Sequence, residues 1–152
     1  MRGAPAFDLP PDLIGAGGLR MWFTDPPGVI VQIAQPARGT KEMAEWLIGP
    51  GFTRVRGRFP AGDDLILVID LSLMNGRDTA ARAVIMERAR EPGRLFARTF
   101  LVPPVKASAV YLTTMHAAAA LMNALGRDIN IESSVADVIA RCDMKPAGQV
   151  LP

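Results

Sequence analysis

The stretch that decides the fold is Asp64-Leu-Ile-Leu-Val-Ile-Asp-Leu-Ser-Leu-Met-Asn-Gly-Arg-Asp-Thr-Ala-Ala-Arg82. A continuous apolar, β-branched run ends at Asp70, a polar turn with one glycine follows, and an amphipathic helix begins near Asp78. Unbroken apolar runs are typical of strands that are buried on both faces, in sheets covered by helices. The loop after such a strand often carries function in α/β proteins. The stretch therefore predicts an α/β fold, a central strand and a candidate functional surface.

Two more strands are predicted before this stretch, over Leu19–Thr24 and Val29–Ala34. The connection between them, Asp25-Pro-Pro-Gly28, has the proline and glycine content of a turn. Because the connection is so short, the two strands are predicted to form an antiparallel hairpin.

A short amphipathic helix is predicted next, with Thr40 as its N-cap and Gly49-Pro50-Gly51 as its end. The following segment, Phe52–Gly62, is interpreted as a basic connector that can form an extra edge strand. Its alternating arginines would then share one face, either to bind an acidic partner or nucleic acid or, as preferred here, to form a solvated edge that discourages aggregation. Those arginines are Arg54, Arg56 and Arg58.

The remaining elements alternate between helix and strand. Their predicted ranges are a helix from Asp78 to about Glu91, a strand Leu95–Val102, a helix Val105–Leu125, a strand Asp128–Glu132, and a helix from Ser133 or Ser134 to about Cys142. Right-handed crossovers make the later strands parallel. The predicted fold is a mixed sheet of about five strands with about four helices, in the order β-β-α-β-α-β-α-β-α.

Length and composition predict a single domain over residues 19–145, with a flexible or loosely docked lead-in over 1–18 and a tail over 146–152. The formal charge of +2 is nearly balanced, so no nucleic-acid or membrane partner is expected from charge. The lone Cys142 excludes an intramolecular disulfide and fits a reducing cytoplasm. Neither a signal peptide nor a membrane span is predicted.

The element order and the segment Asp70-Leu-Ser-Leu-Met-Asn75 resemble the STAS domain of anti-sigma factor antagonists and the wider SpoIIAA-like family. The first five residues match the family pattern, and Asn75 stands where an aspartate is usual. This resemblance implies a non-enzymatic module for protein–protein interaction in bacterial signalling or regulation. Gly76 and Arg77 occupy the positions of the serine pair, so the resemblance implies a module without the usual phosphorylatable serine. Thr79 carries the nearest hydroxyl in the first helical turn.

The turn after the central strand is the first candidate site. Its predicted partner-binding residues are Ser72, Asn75, Gly76, Arg77, Asp78 and Thr79. An anion at the helix N-terminus, assisted by Arg77, is a second interpretation, although Asp78 would itself occupy the anion's place. The third interpretation is purely structural, with Asn75-Gly76 making the bend and Asp78 capping the helix.

Other chemistry-bearing residues are isolated in the sequence. His116 has Leu112, Ala119 and Ala120 as helical neighbours, a setting more typical of packing than of catalysis. Cys142 is interpreted as a small buried hydrophobe, not as a redox site. No catalytic residue, cofactor or metal site is therefore predicted.

The long predicted helix, Val105–Leu125, has an apolar face that is broader than one sheet contact needs. It is either the best-buried helix of the domain or partly exposed as a partner or homodimer interface. The leading prediction is a cytoplasmic, non-enzymatic module that binds a regulatory protein or a larger signalling assembly. The alternative is a domain of the same fold that binds a small molecule, a lipid or a nucleotide, and a sizeable apolar pocket between the long helix and the sheet would favour it.

Overall fold

The computed structural model describes residues 4–60, 64–89 and 95–148. Its strands are β1 (Leu13–Ile14), β2 (Leu19–Asp25), β3 (Gly28–Ile33), β4 (Ala37–Gly39), β5 (Ile66–Asp70), β6 (Met74–Arg77), β7 (Arg98–Val102), β8 (Ile129–Ile131) and β9 (Lys145–Pro146). Its helices are α1 (Lys41–Trp46), α2 (Phe52–Arg58), α3 (Thr79–Ala89), α4 (Ala109–Ala124) and α5 (Val135–Cys142). A π-helical turn, Leu47–Gly51, joins α1 to α2 into one bent helical segment.

The main sheet has the order β1-β2-β3-β5-β7-β8, with β9 also paired to β2. Strands β2 and β3 form an antiparallel hairpin, whereas β3, β5, β7 and β8 are parallel. Strand β5 lies in the middle of this sheet, as its unbroken apolar run predicts. The predicted mixed α/β sheet, with its hairpin followed by parallel strands, is confirmed.

The two faces of the sheet bury separate apolar clusters, because successive side chains of a strand point to opposite faces. One face packs Val29, Val31 and Leu67 against residues of α1 and α2, including Met43 and Val55. The opposite face carries residues of β3, β5 and β7 together with α5. The buried members of this cluster are Ile30, Ile66, Val68, Phe100, Val102, Val135, Val138 and Met144. Burying a side chain of this size contributes roughly 1.5–3 kcal/mol.

The N-terminal segment is docked on the sheet along its described part, in contrast to the predicted loose lead-in. The Phe23 amide donates to Asp12 Oδ2 at 2.8 Å, and the Trp22 indole donates to the Leu9 carbonyl at 3.2 Å. Strand β1 then pairs with β2. Residues 1–3 of the lead-in lie outside the described residues.

The predicted C-terminal tail likewise begins inside the sheet. Strand β9 pairs with the end of β2, and the Ala147 amide donates to the Phe23 carbonyl at 2.9 Å. The Gly148 carbonyl accepts from Arg58 of α2 at 3.1 Å. These bonds connect residues 145–148 to the sheet and to α2.

The predicted edge strand within Phe52–Gly62 is wrong, because its N-terminal part is helix α2. Gly49-Pro50-Gly51 does not end the preceding helix, since the π-helical turn carries the chain through it. The reason is tertiary packing: Val55 is fully buried, and Phe52 and Phe59 pack on the same apolar cluster. Their spacing of three and four residues was the helical signal, and the alternating arginines masked it. Residues 61–63 of the segment lie outside the described residues.

The N-caps predicted for the first helix and for the last helix are confirmed. The Thr40 hydroxyl accepts from the Met43 amide at 3.2 Å at the start of α1. For α5 the sequence predicts either Ser133 or Ser134 as the start of the helix. Ser134 is the N-cap, and its hydroxyl accepts from the Asp137 amide at 3.1 Å. The predicted end of α3 near Glu91 lies outside the described residues.

Candidate functional site

The turn after β5 contains a short strand and is not only a loop that leads into the next helix. Its residues 74–77 form β6, which pairs in parallel with β4 in a separate two-stranded sheet. The Asp78 amide then donates to the Gly39 carbonyl at 2.8 Å, immediately before α3 begins. The predicted site is therefore anchored to the segment between β3 and α1.

The structure separates the six predicted site residues into a surface group and a buried group. Asn75, Arg77 and Thr79 are exposed, and Gly76 between them is half-buried. Ser72 is only 6% exposed, so its side chain is not part of this surface. Its hydroxyl oxygen is buried without a hydrogen-bond partner among the described residues.

Asp78 forms an ion pair that the sequence did not suggest. Its carboxylate accepts from Arg38 Nε at 2.5 Å, and Arg38 also donates to the Arg77 carbonyl at 3.3 Å. Both side chains of the pair are substantially exposed, so its contribution to stability is small, about 0–1 kcal/mol. Arg38 thus holds the strand β6 and the start of α3 against β4.

A buried polar network lies at the carboxyl ends of β3 and β5. Asp70 is 7% exposed, and its carboxylate accepts from Gln32 Nε2 at 2.7 Å and from the Ser72 amide at 2.9 Å. Gln32 also accepts from the Ala6 amide at 2.7 Å and donates to the Ala4 carbonyl at 3.1 Å. Because buried polar groups require partners, this network fastens the N-terminal segment to the sheet. The only sequence signal for it was a glutamine inside the apolar run Val29–Ala34.

An apolar cavity of about 600 Å³ lies between the sheet, α1, α3 and α4. This volume falls within the range of small-molecule sites, roughly 300–1,000 Å³. Its apolar walls are Leu19, Val31, Ile33, Met43, Ala44, Leu47, Ile69, Leu71, Met74, Ala81, Ile85, Leu101, Val110 and Met115. Arg77, Arg82, Ser108, Tyr111 and Thr114 contribute polar groups to the lining. The predicted site residue Arg77 therefore belongs to the cavity as well as to the exposed turn.

Helix α4 forms one wall of this cavity but is poorly buried. Ala119 is the buried residue of its described length, whereas Val110 is 77% exposed and Leu121 is 63% exposed. Its C-terminal end is held by Asn123, whose side-chain amide exchanges two hydrogen bonds with the backbone of Ile129. The interpretation of the long helix as the best-buried helix of the domain is thus wrong.

A second cavity of about 420 Å³ lies on the opposite face of the sheet, between the N-terminal segment, Ser72 and the start of α5. Asp137 lies on the first turn of α5, beside this cavity. Hydrogen bonds from the Ser133 and Ser134 hydroxyls lower the pKa of the Asp137 carboxyl from its ordinary value of 3.8. The Ser133 hydroxyl donates to Asp137 Oδ2 at 2.5 Å.

His116 and Cys142 are not part of either cavity lining. His116 is exposed on α4, so its predicted packing environment is wrong. Cys142 is half-buried and packs against the apolar cluster under α5. Within the described residues, no group of three or more His, Cys, Asp or Glu side chains is placed to hold a metal ion. Among the same residues, no helix combines the length and apolar character needed to cross a membrane.

No protein-family model matches this chain, and no curated protein sequence matches it. A similar solved structure is that of an uncharacterized protein of the DUF3478 family from Shewanella loihica PV-4, which has a SpoIIAA-like fold. The two structures align with a TM-score of 0.53 and 12% sequence identity, over 88% of this chain and 98% of that chain. The SpoIIAA-like fold that the family resemblance implies is thereby confirmed.

Proposed function

We propose that this domain binds an apolar small molecule in the cavity between the sheet, α1, α3 and α4. The observation that carries the proposal is the cavity itself, about 600 Å³ in volume and lined mainly by aliphatic side chains and methionine. A sizeable apolar pocket between the long helix and the sheet is the feature expected to favour the ligand-binding alternative. Binding in such a pocket requires no catalytic group, in keeping with the predicted non-enzymatic role.

The chemistry of the lining supports this function. Transfer of apolar ligand surface from water into such a pocket is favourable by roughly 25 cal/mol per Å². Met43, Met74 and Met115 line the cavity, and their flexible thioether side chains adapt to ligands of different shape. The ligand would also cover Val110 of α4, which lines the cavity and is 77% exposed.

The test is titration with 1-aminoanthracene, a neutral fluorescent probe, together with native mass spectrometry of the purified protein. Ala81 is 3% exposed and lines the cavity on α3, so Ala81→Phe is expected to fill the cavity and abolish probe binding. Ala83→Phe is the matched control, since Ala83 is exposed on the same helix and does not line the cavity.

Met115→Trp on α4 provides a second cavity-filling variant if Ala81→Phe does not fold. Wild-type binding that survives in a folded cavity-filling variant would refute the proposal, as would the absence of any binding to the wild type.

A protein-binding surface at the turn after β5 remains the second candidate function. Asn75, Arg77 and Thr79 are exposed side by side there, and the apolar Ile85 and Met86 are exposed on the adjoining α3. An exposed apolar group next to polar groups is common in protein interfaces. This candidate retains the regulatory role in the bacterial cytoplasm that the family resemblance implies.

The partner surface can be tested by comparing Arg77→Glu with Arg54→Glu, an equal charge reversal at an exposed position of α2. A partner identified from the native cytoplasm and shown to bind the purified wild type should bind the Arg54 variant and lose affinity for the Arg77 variant. Equal binding to both variants would remove the turn as the contact surface.

A further inference from the structure

We infer that the ligand of the cavity is a single-chain amphiphile whose anionic head group is held by Arg77 and Arg82. This inference rests on the proposed function, because it names the chemical class of ligand for the same cavity. It commits to two features of that ligand: an apolar chain that fills the aliphatic part, and one negative charge at the polar part.

The first observation is the composition of the charged lining. Among the described residues, the cavity is lined by Asp70, Arg77 and Arg82 as its charged side chains. Both arginines are exposed, and neither guanidinium has a hydrogen bond or ion pair within the described part of the chain. The backbone carbonyl of Arg77 accepts from Arg38, so the strand that carries Arg77 is held in place while its guanidinium stays available.

The second observation is that the nearby carboxylates are already engaged. The Asp78 carboxylate, which lies between the two arginines in sequence, is paired with Arg38 at 2.5 Å. The Asp70 carboxylate accepts from Gln32 and from the Ser72 amide. Among the described residues, Arg77 and Arg82 therefore lack a counter-ion, and a ligand carboxylate or phosphate would supply one through charge-assisted hydrogen bonds.

The third observation is the combination of charge with an apolar volume. A free inorganic anion would leave the aliphatic walls without contacts, and a plain hydrocarbon would leave both guanidinium groups without a partner. Tyr111, Ser108 and Thr114 line the α4 side of the cavity and carry hydroxyl groups. An anionic amphiphile satisfies both kinds of lining at once.

The experiment compares three ligands that share one chain: palmitate, hexadecyl phosphate and hexadecanol, each below its aggregation concentration and at low salt. The wild type is expected to bind the two anionic ligands roughly tenfold more tightly than hexadecanol, a modest preference because both arginines are exposed. In the double variant Arg77→Gln, Arg82→Gln, this preference should disappear, so that the three ligands bind with similar affinity. Arg54→Gln, Arg56→Gln removes the same charge from exposed positions of α2 and should keep the preference.

The outcomes separate this inference from the proposed function. A preference that is equal in the wild type and in the Arg77, Arg82 variant overturns the head-group inference, as does equal wild-type affinity for all three ligands. In both cases the binding of 1-aminoanthracene still supports the apolar cavity. If palmitate alone or hexadecyl phosphate alone shows the preference, that arm identifies the head group as a carboxylate or a phosphate and supports the inference. If no ligand and no probe binds, the proposed function itself fails.

Discussion

Helices α4 and α5 differ in length and in burial, and the difference runs opposite to what hydrophobicity alone would suggest. α5 spans eight residues and buries Val135 and Val138 against the sheet. α4 spans sixteen residues, nearly all of them uncharged, yet within its described length only Ala119 is buried. The shorter helix therefore packs tightly on the sheet through Val135 and Val138, whereas the longer helix stands over the larger of the two cavities described above.

The physical reason lies in the spacing of large side chains. The apolar residues of α5 fall at intervals of three and four, which places them on one side of the helix. In α4, threonine and alanine occupy much of the helix, and the larger apolar residues are spread around it. A helix without one dominant apolar stripe cannot bury most of its residues against a single sheet. Total hydrophobicity thus predicts little about burial, whereas its periodicity predicts it well.

The largest expected effect on the free energy of unfolding comes from substitutions at two neighbouring residues of β7. Phe100 is 1% exposed in the cluster under α5, and Leu101 lines the cavity under α4. Phe100→Ala should lower the free energy of unfolding by about 3–5 kcal/mol, and Leu101→Ala by about 2 kcal/mol, because the space around Leu101 is already incompletely filled. Urea denaturation of both variants measures the difference. Equal losses would mean that the two faces are packed alike.

A smaller effect is expected when the helices themselves are altered. Val138 of α5 is fully buried, so Val138→Ala should cost about 2 kcal/mol in unfolding free energy. Leu121→Ala on α4 removes a larger side chain but should change stability by no more than about 0.5 kcal/mol, since that side chain is 63% exposed. Thermal unfolding can rank the two variants. A larger loss for Leu121→Ala would show that α4 is covered in solution.

The smallest effect concerns pH at the helix N-termini. The pKa of Asp137 is lowered by the Ser133 and Ser134 hydroxyls, so its contribution to stability is present above the ordinary pKa of 3.8 and is lost as pH falls through the lowered folded value. Ser133→Ala should raise the pKa of Asp137 in a carboxyl NMR titration.

The N-cap of α4 is the control for this titration. The Ser108 hydroxyl accepts from the Tyr111 amide at 3.1 Å, and Tyr111 offers no carboxylate at the corresponding position. Ser108→Ala should therefore leave unchanged the amount of unfolding free energy that is lost as the pH falls. An unaltered Asp137 titration in Ser133→Ala would show that the serine hydroxyl does not set this pKa.

Of the six residues predicted for the site, Arg77 lines the cavity, and neither the cavity nor its other lining residues could be predicted from the sequence. The turn after β5 was predicted as a functional surface, and Arg77 does line the cavity. Neither Arg82 nor Arg38 was among the residues predicted for the site. The pairing of β4 with β6, which joins segments nearly forty residues apart, brings Arg38 to the Arg77 backbone. Contacts of this range leave no local signal in a single sequence.

Local patterns determined the order of the strands and helices, the antiparallel hairpin, the central strand β5 and the caps at Thr40 and Ser134. These features depend on periodicity, turn residues and capping groups within a few residues of each other. The tertiary structure alone decided that Phe52–Arg58 is helical, that the N-terminal segment is fastened by Gln32, and that α4 stands over a cavity. Each of these outcomes depends on how distant surfaces fit together, and the free energy of that fit is a property of the whole fold.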